Sequence, residues 1–161
     1  MYSRFVDTLA TAAARLEESA YHNAVILPDF PRSIQLDGYS CGAKSVYTIL
    51  RYYDKRCTPL SVEKELHTSW EGTAISDIKR ALKKHGLKYR KIRSLKSSID
   101  HGCPVLVSTH KHWHYSVVYG YCNSQFFVMN PSLGQMGCLS CAVKKKKFMR
   151  VWDGWALKVF H

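Results

Sequence analysis

Apolar positions in the first half of the chain recur every three or four residues, the spacing of a buried helix face. In residues 3–20 they fall at Phe5, Leu9, Ala12 and Leu16, which predicts an amphipathic helix with those side chains on one side. Pro28 and Pro31, in "LPDFPRS", then impose an extended link. Val46, Ile49, Leu50 and Tyr53 predict a helix over 41–54. "TPLSVEKELHTSW" predicts another over 58–70, with Ser61 as its N-cap and Glu63 and Glu65 near its start. In "EGTAISDIKRALKKHGL", Thr73 caps a third helix, Ile75, Ile78 and Leu82 line it, and Gly86 stops it. The pattern then changes. "KYRKIR", "PVLVST", "HYSVVYGY" and "QFFVMN" are short β-branched or aromatic runs parted by turn residues, which is how strands read. "CNS" at 122–124 is short enough to join the last two as a hairpin, and the tail adds a helical turn near Met149 and a strand around Ala156–Phe160. Helices first and strands afterwards predict an α+β fold, a helical half packed on an antiparallel sheet.

At 161 residues with 46% apolar content the chain is expected to form one domain, residues 1–161, with a substantial core. No apolar run is long enough to cross a bilayer, and the first twenty residues, broken by Asp7 and Arg15, do not read as a secretory signal. A cytoplasmic location follows as the expectation, and with it reduced thiols for the six cysteines. "CLSC" at 138–141 has metal-ligand spacing but no second close pair of Cys or His, so no metal is expected, and no motif calls for a cofactor. The net charge of +12 makes nucleic acid the first partner to consider. The basic residues are spread out, however, clustering only in "RALKKHGLKYRKIR" at 80–93 and "KKKK" at 144–147, with no nucleic-acid-binding motif beside them. A solvated basic surface is the plainer reading, and an acidic partner the next; specific nucleic-acid binding is not expected.

Candidate chemistry centres on "QLDGYSCGAKSVYTILRYYD", residues 35–54, where Cys41 follows a turn at 37–40 and opens a helix. A helix N-terminus and a nearby imidazolium both favour the thiolate. A cysteine nucleophile also needs a histidine, a group to orient that histidine, and donors for the developing oxyanion. His114 begins one strand and Asn130 ends its hairpin partner, so the two fall within a few residues of register. The Cys41 N–H and the Gln35 amide are candidate oxyanion donors. Each residue alone has a blander reading: a packed cysteine, an edge histidine with His112 as a rival, a turn asparagine before Pro131.

Together they resemble the bacteriocin-processing (double-glycine leader) peptidases, a branch of the papain-like cysteine peptidases. The resemblance runs from about Gln35 to Phe160. It rests on Gln, five residues and Cys-Gly; on "TPLSVEKEL" and "EGTAISDIKRALKKHGL"; on "CPVLVST" and "HYSVVYG"; and on "FVMNPSLG" and "VWDGWALKVF", in that order. It implies a papain-like fold and a peptidase with Cys41 as nucleophile, His114 as general acid/base, Asn130 as orienting group and Gln35 as oxyanion donor. The substrate would be a peptide or protein cut after Gly or another small residue. The family usually carries Asp where this chain has Asn130; an amide oxygen still accepts the imidazole hydrogen bond. Its best-known members continue into membrane spans and an ATPase, and neither is present here, so a freestanding member or a piece of a larger protein is expected. Residues 1–30, a helical extension and link, lie outside the resemblance and are expected to pack on the domain. Two other functions fit the same residues: a non-hydrolytic peptide-binding domain of this fold, and a thiol deamidase or transglutaminase-like enzyme acting on a protein.

Overall fold

The apolar runs of the second half pair with one another in one antiparallel sheet, and helices from the first half pack over it. The computed structural model describes residues 2–132 and 141–161. Among these the order is α1 (Tyr2–Ser19), β1 (Val25–Ile26), α2 (Cys41–Tyr52), α3 (Pro59–Glu65), α4 (Ile75–Lys84), β2 (Lys88–Lys91), α5 (Leu95–Asp100), β3 (Val105–Thr109), β4 (His114–Tyr121), β5 (Gln125–Met129), β6 (Ala142–Lys144), α6 (Lys145–Val151) and β7 (Trp152–Phe160). The sheet runs β2-β7-β3-β4-β5-β6, with β1 paired to β4. The α+β class read from the sequence is the one observed.

Every residue of β3 and all but the two ends of β4 are buried. Strands covered on both faces need apolar residues without alternation, which is why "VLVST" and "YSVVYG" read as continuous runs. β1 pairs with Gly120 and Tyr121 of β4. It comes so close that a Cβ on Gly120 would lie 3.0 Å from the Val25 carbonyl oxygen, so a glycine is needed there. The expected hairpin joins β4 and β5, with the Cys122 N–H donating to the Gln125 carbonyl at 3.0 Å. Val117 faces Met129 in the register, so Asn130 runs on toward the start of β4, where His114 stands.

α2 buries Val46, Ile49 and Leu50 completely and packs on β4, α3 and α4. The buried Lys44 pairs with Glu63 of α3 at 2.9 Å, fixing the two helices to each other. α4 contributes Ile78 and Leu82. It ends as the sequence suggests: Gly86 at φ +74° donates to Lys83, and Leu87 donates to Leu82, a Schellman closure.

Several local readings are corrected. The cap of α3 is Thr58, not Ser61. The Thr58 hydroxyl accepts the Ser61 N–H, and the Ser61 hydroxyl accepts the Thr58 N–H, so Ser61 is the third helical residue of a capping box with Pro59 first. The helix ends at Glu65 rather than 70, because His67 turns left-handed at φ 49°. α4 starts after Ala74, and the Thr73 hydroxyl pairs with Thr68 instead of capping. β7 starts at Trp152, four residues earlier than read. The two-residue β1, the six-residue α5 and the three-residue β6 are too short to carry a periodic signal. "CLSC" falls partly outside the described residues; the five cysteines that are described are free thiols.

The largest correction concerns α1. Its apolar side faces water, with Phe5 65% and Leu16 76% exposed. Contact with the body runs instead through Ala10, Ala14 and Val6, small enough for close approach, and through acids that bond the body: Asp7 to the Ile34 amide and Glu18 to the Tyr119 hydroxyl at 2.6 Å. Periodicity counts apolar residues; it does not register polar ones with partners waiting.

Truncating the buried Ile49 to alanine is expected to cost about 2–5 kcal/mol in urea unfolding. Leu16→Ser on the solvent side of α1 is expected to change stability by less than about 0.5 kcal/mol.

Candidate active site

Asp37 builds the turn that delivers Cys41. One carboxylate oxygen accepts the N–H groups of Tyr39 (2.8 Å) and Ser40 (2.7 Å), and the other accepts the Ser40 hydroxyl (2.8 Å). Burial pushes this carboxyl up, but those bonds and the Lys44 charge outweigh it and hold it below the usual range. The Ser40 carbonyl then accepts the Lys44 N–H at 2.9 Å, starting α2 with Cys41 as its first residue.

Cys41 is 7% exposed. Backbone N–H groups of Tyr115, Gly42 and Cys41 itself are directed at the sulfur and favour its ionisation. Burial is the larger influence, and with the negative charge of Asp37 it pushes the thiol above its ordinary value. Desolvation thus opposes the thiolate that a helix start favours. Tyr115, directly after His114 in β4, lines the same cleft as Cys41.

The imidazole of His114 is anchored across the hairpin, its Nε2 2.7 Å from Asn130 Oδ1. The same Oδ1 accepts the Ser132 backbone N–H at 3.0 Å. A backbone N–H can only donate, so the Asn130 atom is the oxygen, and His114 Nε2 must carry the hydrogen. Burial pulls the His114 pKa below its ordinary value; the Asn130 bond opposes this, and the His110 charge adds to it. A neutral imidazole with Nε2 protonated has a bare, basic Nδ1.

Gln35 is also buried. Its backbone N–H donates to the Pro131 carbonyl at 2.9 Å and its chain bridges Ser132, so it runs beside the residues that follow Asn130. One Nε2 hydrogen goes to the Asp37 carbonyl at 2.8 Å, leaving the second available; Oε1 has no partner among the described residues. Tyr115 and Thr73 close over the start of α2, where a Cβ on Gly42 would lie 2.8 Å from Thr73. A cleft of about 420 Å³ reaches Cys41, and its walls include Tyr39, Trp70, Thr73, His112, Trp113 and Tyr115. His114, Asn130 and Gln35 are not among its lining residues. Of the four residues singled out from sequence, His114 and Asn130 bond directly and Gln35 runs along the two residues after Asn130; Cys41 stands apart from them in the cleft wall, and no hydrogen bond among the described residues joins it to His114.

The rival His112 stands in the wall of that cleft and is bonded into the fold. Its Nδ1 lies 2.9 Å from the Ser108 hydroxyl and 3.3 Å from Asp153, whose carboxylate also accepts the His112 N–H. These bonds clamp His110, Lys111 and His112, all left-handed, in the turn before His114. Asp153 went unnoticed in the sequence, as did Trp70 and Trp113, which stand 80% and 85% exposed at the cleft mouth. "WDGW" and "HKHW" hold the signal for Asp153 and Trp113, but only the β3–β7 pairing brings those two stretches together.

No curated protein sequence matches the chain. Among solved structures, a double-glycine motif protease from an AMS/PCAT transporter, in complex with the leader peptide, aligns at 21% identity over 80% of this chain and 89% of its own, with a TM-score of 0.67. The peptidase domain of Streptococcus ComA, a bifunctional ABC transporter involved in quorum sensing, aligns at 24% identity over 79% and 93%, TM-score 0.61. A C39-like peptidase from Bacillus anthracis aligns at 17% over 86% and 98%, TM-score 0.70. These likenesses carry the fold. The model of the Peptidase C39 family matches residues 29–161, and the chain belongs to that family of papain-like cysteine peptidases.

Proposed function

We propose that this protein hydrolyses peptide bonds with Cys41 as nucleophile, His114 as general acid/base, Asn130 orienting His114, and Gln35 with the Cys41 N–H binding the oxyanion. The observation that carries the reading is the pair of bonds on Asn130 Oδ1, which fixes the His114 tautomer with Nδ1 bare. The resting pair is a neutral thiol and a neutral imidazole. As the sulfur attacks the carbonyl carbon, the thiol proton passes to Nδ1, and negative charge gathers on the carbonyl oxygen. The second Nε2 hydrogen of Gln35 and the Cys41 N–H receive that charge. Collapse breaks the C–N bond, with the imidazolium proton leaving on the amine. Water, giving a proton to His114, then attacks the thioester carbon; the C–S bond breaks, the acid leaves, and the imidazolium returns its proton to the sulfur.

The nearly enclosed sulfur, walled by Tyr115 and Thr73, favours a residue with little side chain before the cut. We carry the peptide substrate class from the relative described with a leader peptide. A synthetic peptide containing a Gly-Gly pair is expected to be cut after glycine, read as two fragments by mass spectrometry. Cys41→Ala and His114→Ala are expected to abolish cleavage, and Gln35→Ala to lower kcat by about 10²–10³-fold. A one-dalton gain on an intact chain would instead identify a deamidase, and equal binding without cleavage by wild type and Cys41→Ala a peptide-binding domain.

Alkylation of Cys41 by iodoacetamide tests the neutral resting pair. Its rate is expected to climb through the alkaline range, with a midpoint above that of a free thiol, about 8.5. A plateau below about pH 7 would mean a preformed ion pair.

The acid limb of kcat/KM is expected to lie below the ordinary imidazole value of about 6.5, since the reaction needs His114 unprotonated. Asn130→Asp places a carboxylate on the ring, stabilises the imidazolium, and is expected to move that limb to higher pH.

A further inference from the structure

The family match begins at residue 29, so α1 lies outside it, yet α1 bonds directly to the segment that carries Gln35. Asp7 Oδ1 accepts the Ile34 N–H at 2.8 Å, and Oδ2 accepts the Ser33 hydroxyl at 3.2 Å. Val6 and Ala10 pack on Ile34, which is 2% exposed. On the other side, the Gln35 N–H is held by the Pro131 carbonyl at 2.9 Å. The backbone at 33–35 is therefore gripped from two sides, by α1 and by the chain leaving Asn130. Among the described residues the Gln35 side chain is held through Nε2 alone, so the position of its second amide hydrogen depends on where this backbone sits.

We propose that α1 is a built-in brace for the oxyanion site: the Asp7 carboxylate, acting through the Ile34 amide, sets Gln35, which makes Asp7 a positioning residue. The proposal rests on the peptidase reading above. Geometry, rather than charge, carries the effect. Asparagine at position 7 keeps an oxygen for the Ile34 N–H and an amide that can donate to Ser33, whereas leucine keeps the volume and loses the acceptor. A displaced oxyanion donor acts on the transition state, so it lowers kcat and leaves KM and simple alkylation of the sulfur untouched.

The test compares wild type, Asp7→Leu, Asp7→Asn and the solvent-side control Leu16→Ser, each checked for folding by circular dichroism. Cleavage of a Gly-Gly peptide, iodoacetamide labelling of Cys41 and amide exchange at Ile34 and Gln35 are measured for each. Asp7→Leu is expected to lose about tenfold in kcat with KM and labelling within about twofold, and Asp7→Asn and Leu16→Ser to stay within about threefold of wild type. Amide exchange at Ile34 is expected to quicken in Asp7→Leu alone. Unchanged kcat in a folded Asp7→Leu would overturn the proposal, as would equal losses in kcat and labelling, which mark general damage. Should Asp7→Leu fail to fold, a tenfold loss in Asp7→Asn would equally overturn it. If wild type cuts nothing, the peptidase reading fails and takes the catalytic role of the brace with it, while the exchange comparison still decides whether Asp7 holds the 33–35 backbone.

Discussion

One hydrogen bond across the β4–β5 hairpin governs the site: His114 Nε2 donating to Asn130 Oδ1. A histidine at a strand end has two nitrogens and two ring orientations to choose between. The Asn130 oxygen, itself identified by the Ser132 N–H, selects one tautomer and leaves the other nitrogen free to take a proton. The remaining elements fix where that imidazole and Cys41 stand. The sheet register carries Asn130 past Met129 toward the start of β4, and the Asp37 turn starts α2 with Cys41 as its first residue.

Burial and hydrogen bonding compete at both reactive groups, and burial prevails at both. It raises the thiol and lowers the imidazole, which favours the uncharged form of each. Asp37 contributes twice, building the turn with its carboxylate and opposing ionisation of the sulfur with its charge. An amide at position 130 is consistent with this balance. A carboxylate would favour the charged imidazolium, whereas an uncharged oxygen aligns the ring and leaves it neutral. In the mechanism proposed, activation therefore occurs during attack, when the proton moves from sulfur to nitrogen.

Much of this was legible in the sequence because the signals are local. The 122–124 hairpin, the strands "VLVST" and "HYSVVYGY" and the Gly86 stop all follow from short-range turn chemistry and β-branched runs. The family likeness was legible because several weak motifs occur in one order. Where reading failed, the deciding contact was distant in sequence. Ser61 looked like a cap because the Thr58–Ser61 exchange is a matter of geometry rather than residue type. Phe5, Leu9 and Leu16 looked like a buried face, but the helix is held by Asp7, Glu17 and Glu18 on its other side, and residues 33, 119 and 141 supply their partners. Asp153 could not be linked to the His110–His112 turn before β3 and β7 were known to be neighbours. The thiol's resting state was also out of reach, since a helix start is visible in sequence and the depth of burial is not.

Long-range proton–nitrogen correlation NMR of the histidine rings, recorded on wild type and assigned with His114→Ala, reads the governing interaction directly. At neutral pH the His114 ring should be uncharged, with its hydrogen on Nε2 and Nδ1 bare. A hydrogen on Nδ1, or a doubly protonated ring at that pH, would contradict the arrangement on which the chemistry of this site is built.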